Sequence, residues 1–284
     1  MTIIQCPVCQ QALNASAKSW HCENNHQFDI AKQGYCNLLL ANQKKSANPG
    51  DDRQMLDARH RFLSAGFYQP VIDSMTELVK QHASLPHHVI DIGCGEGYYL
   101  SALQHSLSNS DCQFYGTDIS KDALKIAGRE HKSISWFVAA ARRQPFLDQS
   151  VDLALNIFAP ADFAEIKRLL RPGGYLLLAV AGNNHLQALR ELIYDQVKPH
   201  QPERFLQQVV GDFELIADNS CQFELQLEDN IAVRDLLQMT PYFWQADKTR
   251  RESIENLQCL STPVNFQFYF LQARQGKDPR ITND

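Results

Sequence analysis

The chain of 284 residues carries 27 Lys/Arg against 32 Asp/Glu, a formal net charge of −5, and is 44% hydrophobic. That length buries a full core with a smaller appended unit, and the acidic balance excludes a globally basic nucleic-acid binder. No apolar run reaches the length of a membrane span, and Met1 to Cys9 lacks a secretory signal's basic-then-apolar order, so a cytoplasmic protein with reduced cysteines and no membrane partner is expected.

Clustered cysteines in such a chain suggest metal before disulfide. Cys6-Pro7-Val8-Cys9 is followed, after twelve residues, by Cys22-Glu23-Asn24-Asn25-His26. Cys-x2-Cys and Cys-x3-His supply four ligands for one tetrahedral, structural Zn2+: Cys6, Cys9, Cys22 and His26. Some thirty residues build no self-sufficient core, so the metal supplies the folding energy. The competing reading, a redox Cys-x-x-Cys pair, lacks a thioredoxin-type strand–helix context. Trp20, Phe28 and Tyr35 either pack a miniature core or stack on nucleic-acid bases. Cys36 reads as a buried thiol, not a fifth ligand.

Residues 41–54 are polar with a Pro49-Gly50 turn, a linker signal. A helix follows from about Gln54 to Ala65. Residues 1–61 hold seven Lys/Arg against five Asp/Glu, and the remainder twenty against twenty-seven. Lys44, Lys45, Arg53, Arg59 and Arg61 are therefore candidates either for phosphate contact or for a solvated charged face, on a helix that also carries His60. Gly66-Phe67-Tyr68-Gln69-Pro70 breaks that helix and opens another through about Gln81. Tyr68 lies either against a cofactor site or in the core.

The next stretch organises the chain. Val89-Ile90-Asp91-Ile92 is a strand, Gly93-Cys94-Gly95-Glu96-Gly97 a tight turn, and Tyr98 onward a helix. A second strand, Gln113 to Thr117, ends at Asp118. Strand, glycine turn, helix, strand and acid form half of a nucleotide-binding α/β unit. The spacing is G-x-G-x-G rather than the dinucleotide G-x-G-x-x-G, with Asp91 in front. This resembles motif I of the class I S-adenosylmethionine-dependent methyltransferases. Asp91, Gly93, Gly95, Gly97 and Asp118 are then cofactor residues, Asp91 towards the methionine end and Asp118 towards the ribose. A tight core turn that binds nothing is the bland alternative.

Alternation continues with a helix over Lys121 to His131 and a strand over Ile134 to Ala139. A strand over Val151 to Phe158, a helix over Ala161 to Leu170 and a strand from Tyr175 to Val180, entered by Arg171-Pro172-Gly173-Gly174, follow. This is the pattern of an α/β, Rossmann-like doubly wound sheet. Further on, His185 to Val197 is expected as helix, Phe213 to Leu227 and Ile231 to Met239 as sheet and helix, and Phe266 to Leu271 as a last strand. Tyr242, Phe243 and Trp244 serve as core or as stacking surface. The expected organisation is a zinc ribbon over 1–40, a linker and leader helix over 41–65, a methyltransferase domain over 66–275 and a flexible tail over 276–284.

Taken together, Cys6-Pro7-x-Cys9 with Cys22 and His26, His26-Gln27-Phe28-Asp29-Ile30-Ala31-Lys32-x-Gly34-Tyr35, Asn48-Pro49-Gly50-Asp51, Asp91 to Tyr99, and Gln238-Met239-Thr240-Pro241 resemble the RlmA family. These are large-subunit (23S) ribosomal RNA guanine-N1 methyltransferases. Gly97-Tyr98-Tyr99 and Gln238 to Pro241 are more similar to its Gram-negative branch than to its macrolide-resistance branch. The resemblance implies S-adenosylmethionine as donor, a ribbon that helps recognise a hairpin of 23S rRNA, and a homodimer. It places zinc on Cys6, Cys9, Cys22 and His26, and cofactor contacts on Tyr68, Gly95, Glu96 and His185. It assigns no general base. Phe67 stands where the family often has His, and Asn156-Ile157-Phe158-Ala159-Pro160 departs from the Asn-Pro-Pro-Tyr of amino-group methylases. Two other functions stay open: a small-molecule methyltransferase with a structural zinc, and a non-catalytic zinc-ribbon RNA-binding protein.

Overall fold

Strand-forming runs separated by helices assemble one eight-stranded sheet. A computed structural model of the chain describes residues 2–43, 50, 52–83, 86–107 and 111–275. Lys44, Lys45, Asn48-Pro49, Asp51 and the tail 276–284 lie outside the described residues. The first strands, β1 (Asn14–Ala15), β2 (Ser19–His21) and β3 (Gln27–Asp29), make a small antiparallel sheet of their own.

The main sheet comprises β4 (Tyr35–Asn37), β5 (His88–Ile92), β6 (Gln113–Asp118), β7 (Ser135–Val138), β8 (Val151–Ile157), β9 (Leu170–Ala181), β10 (Phe213–Leu227) and β11 (Leu260–Ala273). Its order is β10-β11-β9-β8-β5-β6-β7-β4. The strands from β9 to β4 pair in parallel; β10 and β11 add the antiparallel ending. Every residue of β8 is buried, as a central strand covered on both faces requires. The helices that flank the site are α1 (Arg53–Ser64), α2 (Gln69–His82), α3 (Tyr98–Ser106), α4 (Lys121–Glu130) and α5 (Phe163–Leu169). Asp52, Ser120 and Asp162 cap α1, α4 and α5 through side-chain oxygens that accept backbone N–H bonds. No helix among the described residues is long and apolar enough to cross a membrane.

The ribbon does not stand off from this body. Gln5 N–H donates to Pro145 O at 2.8 Å and Leu147 N–H to Ile3 O at 2.9 Å. The Trp20 ring meets Phe137 edge-on, centroids 5.4 Å apart. Ile3, Ile4, Leu13 and Cys36 are buried in one apolar cluster with Ile90, Phe137 and Phe146. Residues 35–37, at the end of the span read as ribbon, form the edge strand of the main sheet, pairing with Trp136 to Val138.

Two local expectations differ. Arg171-Pro172-Gly173-Gly174 does not precede the strand expected from Tyr175 but lies within it: β9 begins at Leu170, pairs it with Val151, and absorbs the glycines in a register shift. The helix expected over His185 to Val197 is only Gln187–Glu191. Arg190 is buried, and its guanidinium donates to the carbonyls of His185 and Lys198, which folds the chain back as a loop.

Candidate functional site

Two knuckles bring Cys6, Cys9, Cys22 and His26 together, their ligand atoms all within 4.8 Å of one another. Cys9 Sγ and Cys22 Sγ are 3.6 Å apart, and His26 Nδ1 lies 3.6 Å from Cys6 Sγ and 3.4 Å from Cys22 Sγ. Bonds of about 2.3 Å to sulfur and about 2.0 Å to nitrogen at a tetrahedral ion place such atoms roughly 3.5–3.8 Å apart. The donor set therefore fits Zn2+ bound through His26 Nδ1. Cys36 is buried outside the cluster, and burial pushes its thiol up to about 12.

The second site lies at the carboxyl ends of the parallel strands. The chain winds from β5 outward to β6 and β7, then returns to β8 on the other side of β5. Such a switch point opens a crevice. Gly93 to Gly97 follow β5 on one side; Phe158 and Ala159 follow β8 on the other. Gly93 has φ +81°, and a Cβ there would lie 2.4 Å from the Ala159 methyl, so only glycine lets the two loops close up. Gly97 begins α3 at φ +85°, and its missing Cβ makes room for the Trp136 ring.

Asp91 is 1% exposed, and neither carboxylate oxygen has a hydrogen-bond partner. Burial first, and then the neighbouring Asp118, push its pKa up to about 8. An orphaned buried carboxylate beneath a glycine cradle fits a cationic ligand. Asp118 accepts Gly95 N–H at 2.9 Å and Ser120 N–H at 2.7 Å, which fixes the acid at the rim of the loop. Glu96 is 4% exposed with Oε2 unpartnered; burial raises its pKa to about 7 against the pull of His60 and Arg59.

The cationic side chains of α1 have a use that the sequence does not reveal. His60 lies between two carboxylates, Nδ1 3.5 Å from Glu96 Oε1 and Nε2 3.4 Å from Glu130 Oε1. Arg59 donates to Met239 O at 3.4 Å. Arg61 makes a fork to Asp235 at 2.9 and 2.5 Å. These contacts fasten α1 across the glycine loop and onto the helix Asn230–Gln238. Among the described residues, Arg53 pairs with Asp57 on the same helix.

Tyr68 and His185 meet at Phe266 rather than at the glycine loop. Tyr68 is buried, its ring 5.5 Å from Phe266 and 5.2 Å from Phe62. His185 stacks 4.2 Å from Phe266, and its Nδ1 accepts Asn265 N–H at 3.4 Å. Burial, with His200 and Arg190 nearby, pushes the imidazole down to about 3, so it is neutral near pH 7. Phe266 joins both to the crevice through Phe158, 4.1 Å away. Of the later aromatics, Phe243 is buried under Arg251 while Trp244 is 59% exposed.

Residues 4–47 match a family model described as RlmA, N-terminal, a zinc ribbon, and residues 89–174 match a methyltransferase domain. The chain is 34% identical over 248 residues to the 23S rRNA (guanine(748)-N(1))-methyltransferase of Streptomyces fradiae, covering 86% of each chain. It is 31% identical over 276 residues to a Bacillus subtilis (strain 168) protein provisionally named 23S rRNA (guanine-N(1)-)-methyltransferase, covering 93% of this chain and 95% of that one. A malonyl-[acyl-carrier protein] O-methyltransferase of Hahella chejuensis is 32% identical, but over only 40% of this chain and 43% of its own. Among solved structures, a Bacillus halodurans protein provisionally named a methyltransferase superposes with TM-score 0.50 at 16% identity, over 71% of this chain and all of that one.

Proposed function

The chain belongs to the 23S rRNA (guanine-N1)-methyltransferases, and from that we propose that it transfers a methyl group from S-adenosylmethionine to N1 of a guanine in a hairpin loop of 23S rRNA. The observation that carries this reading is the pairing, in one body, of the orphaned Asp91 beneath a glycine cradle with a Cys3His cluster docked on the same sheet. The small-molecule alternative is weaker, because the acyl-carrier-protein enzyme matches only 40% of the chain and the rRNA enzyme 86%.

When bound, S-adenosylmethionine supplies a methyl group already activated on a sulfonium. We assign its binding to Asp91, Gly93, Gly95, Glu96, Gly97 and Asp118, with Tyr68 and His185 behind Phe266. Asp91 holds the cationic methionine end, Asp118 the ribose hydroxyls, and Gly97 acts through the shape of the loop. The protein's task is then alignment of nucleophile, methyl and sulfur. Zn2+ on Cys6, Cys9, Cys22 and His26 is structural and holds a ribbon, residues 1–40, that recognises the hairpin. We place a linker and leader helix over 41–65, between this unit and a catalytic domain over 66–275. We further assign the chain to the Gram-negative branch, on Gly97-Tyr98-Tyr99 and Gln238 to Pro241, and place it in the cytoplasm, where ribosomal RNA is, as a homodimer.

N1 methylation blocks Watson–Crick pairing. Primer extension on 23S rRNA from cells lacking this gene should lose one stop that returns when the gene is restored. Label that passes from S-adenosylmethionine to a small metabolite, with rRNA untouched, would overturn the reading.

Arg142 and Arg143 are exposed on the segment between β7 and β8, whose residues Pro145 and Leu147 hold the ribbon. Neither guanidinium has an acidic partner among the described residues. They lie between ribbon and crevice, suited to RNA phosphates. The double variant Arg142→Ala, Arg143→Ala should lower the slope of log affinity for RNA against log salt by about 1–2 and leave S-adenosylmethionine affinity unchanged. An unchanged slope in filter binding would remove these residues from the RNA path.

A further inference from the structure

Five non-glycine residues among those described have positive φ: Gln10, Asn25, Gln149, Phe158 and Leu186. Of these only Phe158 is also a large apolar side chain left exposed, at 39%. Both features are unfavourable alone, and a bulky residue at φ +55° is a genuine outlier. Strain of this kind persists only where the surroundings over-determine it, and it gathers at functional sites.

The surroundings here do over-determine it. Phe158 N–H donates to Ala179 O at 3.1 Å, which extends the β8–β9 ladder by one step. The next residue, Ala159, presses its methyl on the Gly93 backbone. Between these two fixed points the left-handed turn throws the Phe158 side chain out at the crevice. Its ring lies 4.1 Å from Phe266 at 33°, with Tyr99 at 5.6 Å and 77°. Phe266 is itself backed by Tyr68 and His185. Phe158 is thus the outermost ring of a packed aromatic cluster beside the glycine loop, with part of its surface in solvent.

We propose that Phe158 is the stacking platform of a purine-base subsite, against which the target guanine lies after leaving its RNA stack. This rests on the rRNA reading above. A base drawn from a loop loses the stacking of its neighbours, and an aromatic plane restores it. Stacking engages the faces of the base and leaves its edge free. N1 lies on that edge, so a plane fixed by Phe158 can present N1 towards the cradle under Gly93 and Gly95. The rigidity of the shelf makes that presentation reproducible, which in-line transfer demands.

The test uses the full-length, zinc-loaded protein with labelled S-adenosylmethionine and 23S rRNA from cells lacking the gene. Phe158→Leu keeps bulk but removes the π-face; kcat/KM for RNA should fall about 10- to 100-fold, while cofactor affinity by calorimetry stays within about twofold. Phe158→Trp should keep activity within about threefold of wild type, since stacking tolerates any aromatic plane. Phe158→Gly separates ring from strain: it should melt no lower than Phe158→Leu, because glycine adopts φ +55° freely, yet be as inactive. Wild-type activity in Phe158→Leu or Phe158→Gly, or a parallel loss of cofactor affinity, would overturn the subsite. A wild-type protein that leaves rRNA unlabelled would overturn the rRNA reading itself, and the subsite with it.

Discussion

Asp91→Asn should bind S-adenosylmethionine at least about 100-fold more weakly than wild type, while its ligand-free form melts a few degrees higher. Both effects have one cause. The Asp91 carboxylate is held out of water with no donor on either oxygen. Its pKa rises from 3.8 to about 8 through burial and the nearby Asp118. A carboxyl whose folded pKa lies above its unfolded one binds its proton more tightly when folded. The stability of the ligand-free protein therefore falls as pH rises from about 4 to about 8, by on the order of a few kcal/mol from this group. Asparagine keeps the shape, removes the charge and flattens that slope. Unfolding of wild type and variant at pH 5 and pH 8, with calorimetric titration of the cofactor, reads both predictions. A variant that binds the cofactor as wild type does would show that Asp91 is not its anchor. Stability given up for ligand affinity is a familiar trade at binding sites.

Cys22→Ser should release the metal and cut rRNA methylation by about 100-fold or more, with cofactor affinity held within about threefold. A serine hydroxyl is a poor replacement for a zinc thiolate. Structural zinc contributes roughly 10–16 kcal/mol of apparent binding energy in small fingers, far more than so few residues gain from their own core. Loss of metal therefore unfolds β1 to β3 and loosens the segment that Ile3 and Gln5 hydrogen-bond to residues 145–147. The cradle at β5, β6 and β8 stays, since β7 separates it from the ribbon's edge strand. Metal content by atomic absorption, methyl transfer and calorimetry together separate the two sites. Full rRNA methylation without metal would end the ribbon's role in substrate recognition.

Much of the architecture was legible in the chain because each signal was local. The alternation of Val89–Ile92, Gln113–Thr117 and Val151–Phe158 with helical runs predicts the doubly wound sheet, and Cys6, Cys9, Cys22 and His26 announce a ligand set by spacing alone. What was hidden depends on partners far along the chain. Arg61 finds Asp235 and His60 finds Glu96 only after folding, so a choice between phosphate contact and solvated face could not include the internal fastening that occurs. Three residues, Tyr35 to Asn37, are too short a run to read as a sheet edge. The φ of Phe158 is set by Ala179 and Gly93, and no property of Asn156 to Pro160 foretells it.

The joining of β4 to β7 also has a temporal side. Synthesis delivers Tyr35–Asn37 about a hundred residues before Ser135–Val138. At about 5–20 residues per second, that edge strand waits roughly 5–20 s for its partner. During that wait the emerging segment has β1 to β3 and its metal, but no sheet on which to lay Ile3, Ile4 and Leu13. Chain order thus lets metal capture at Cys6, Cys9, Cys22 and His26 precede both closure of the sheet edge and docking of the ribbon. Zinc shortage would thus strike the nascent chain, before there is any finished enzyme to inactivate.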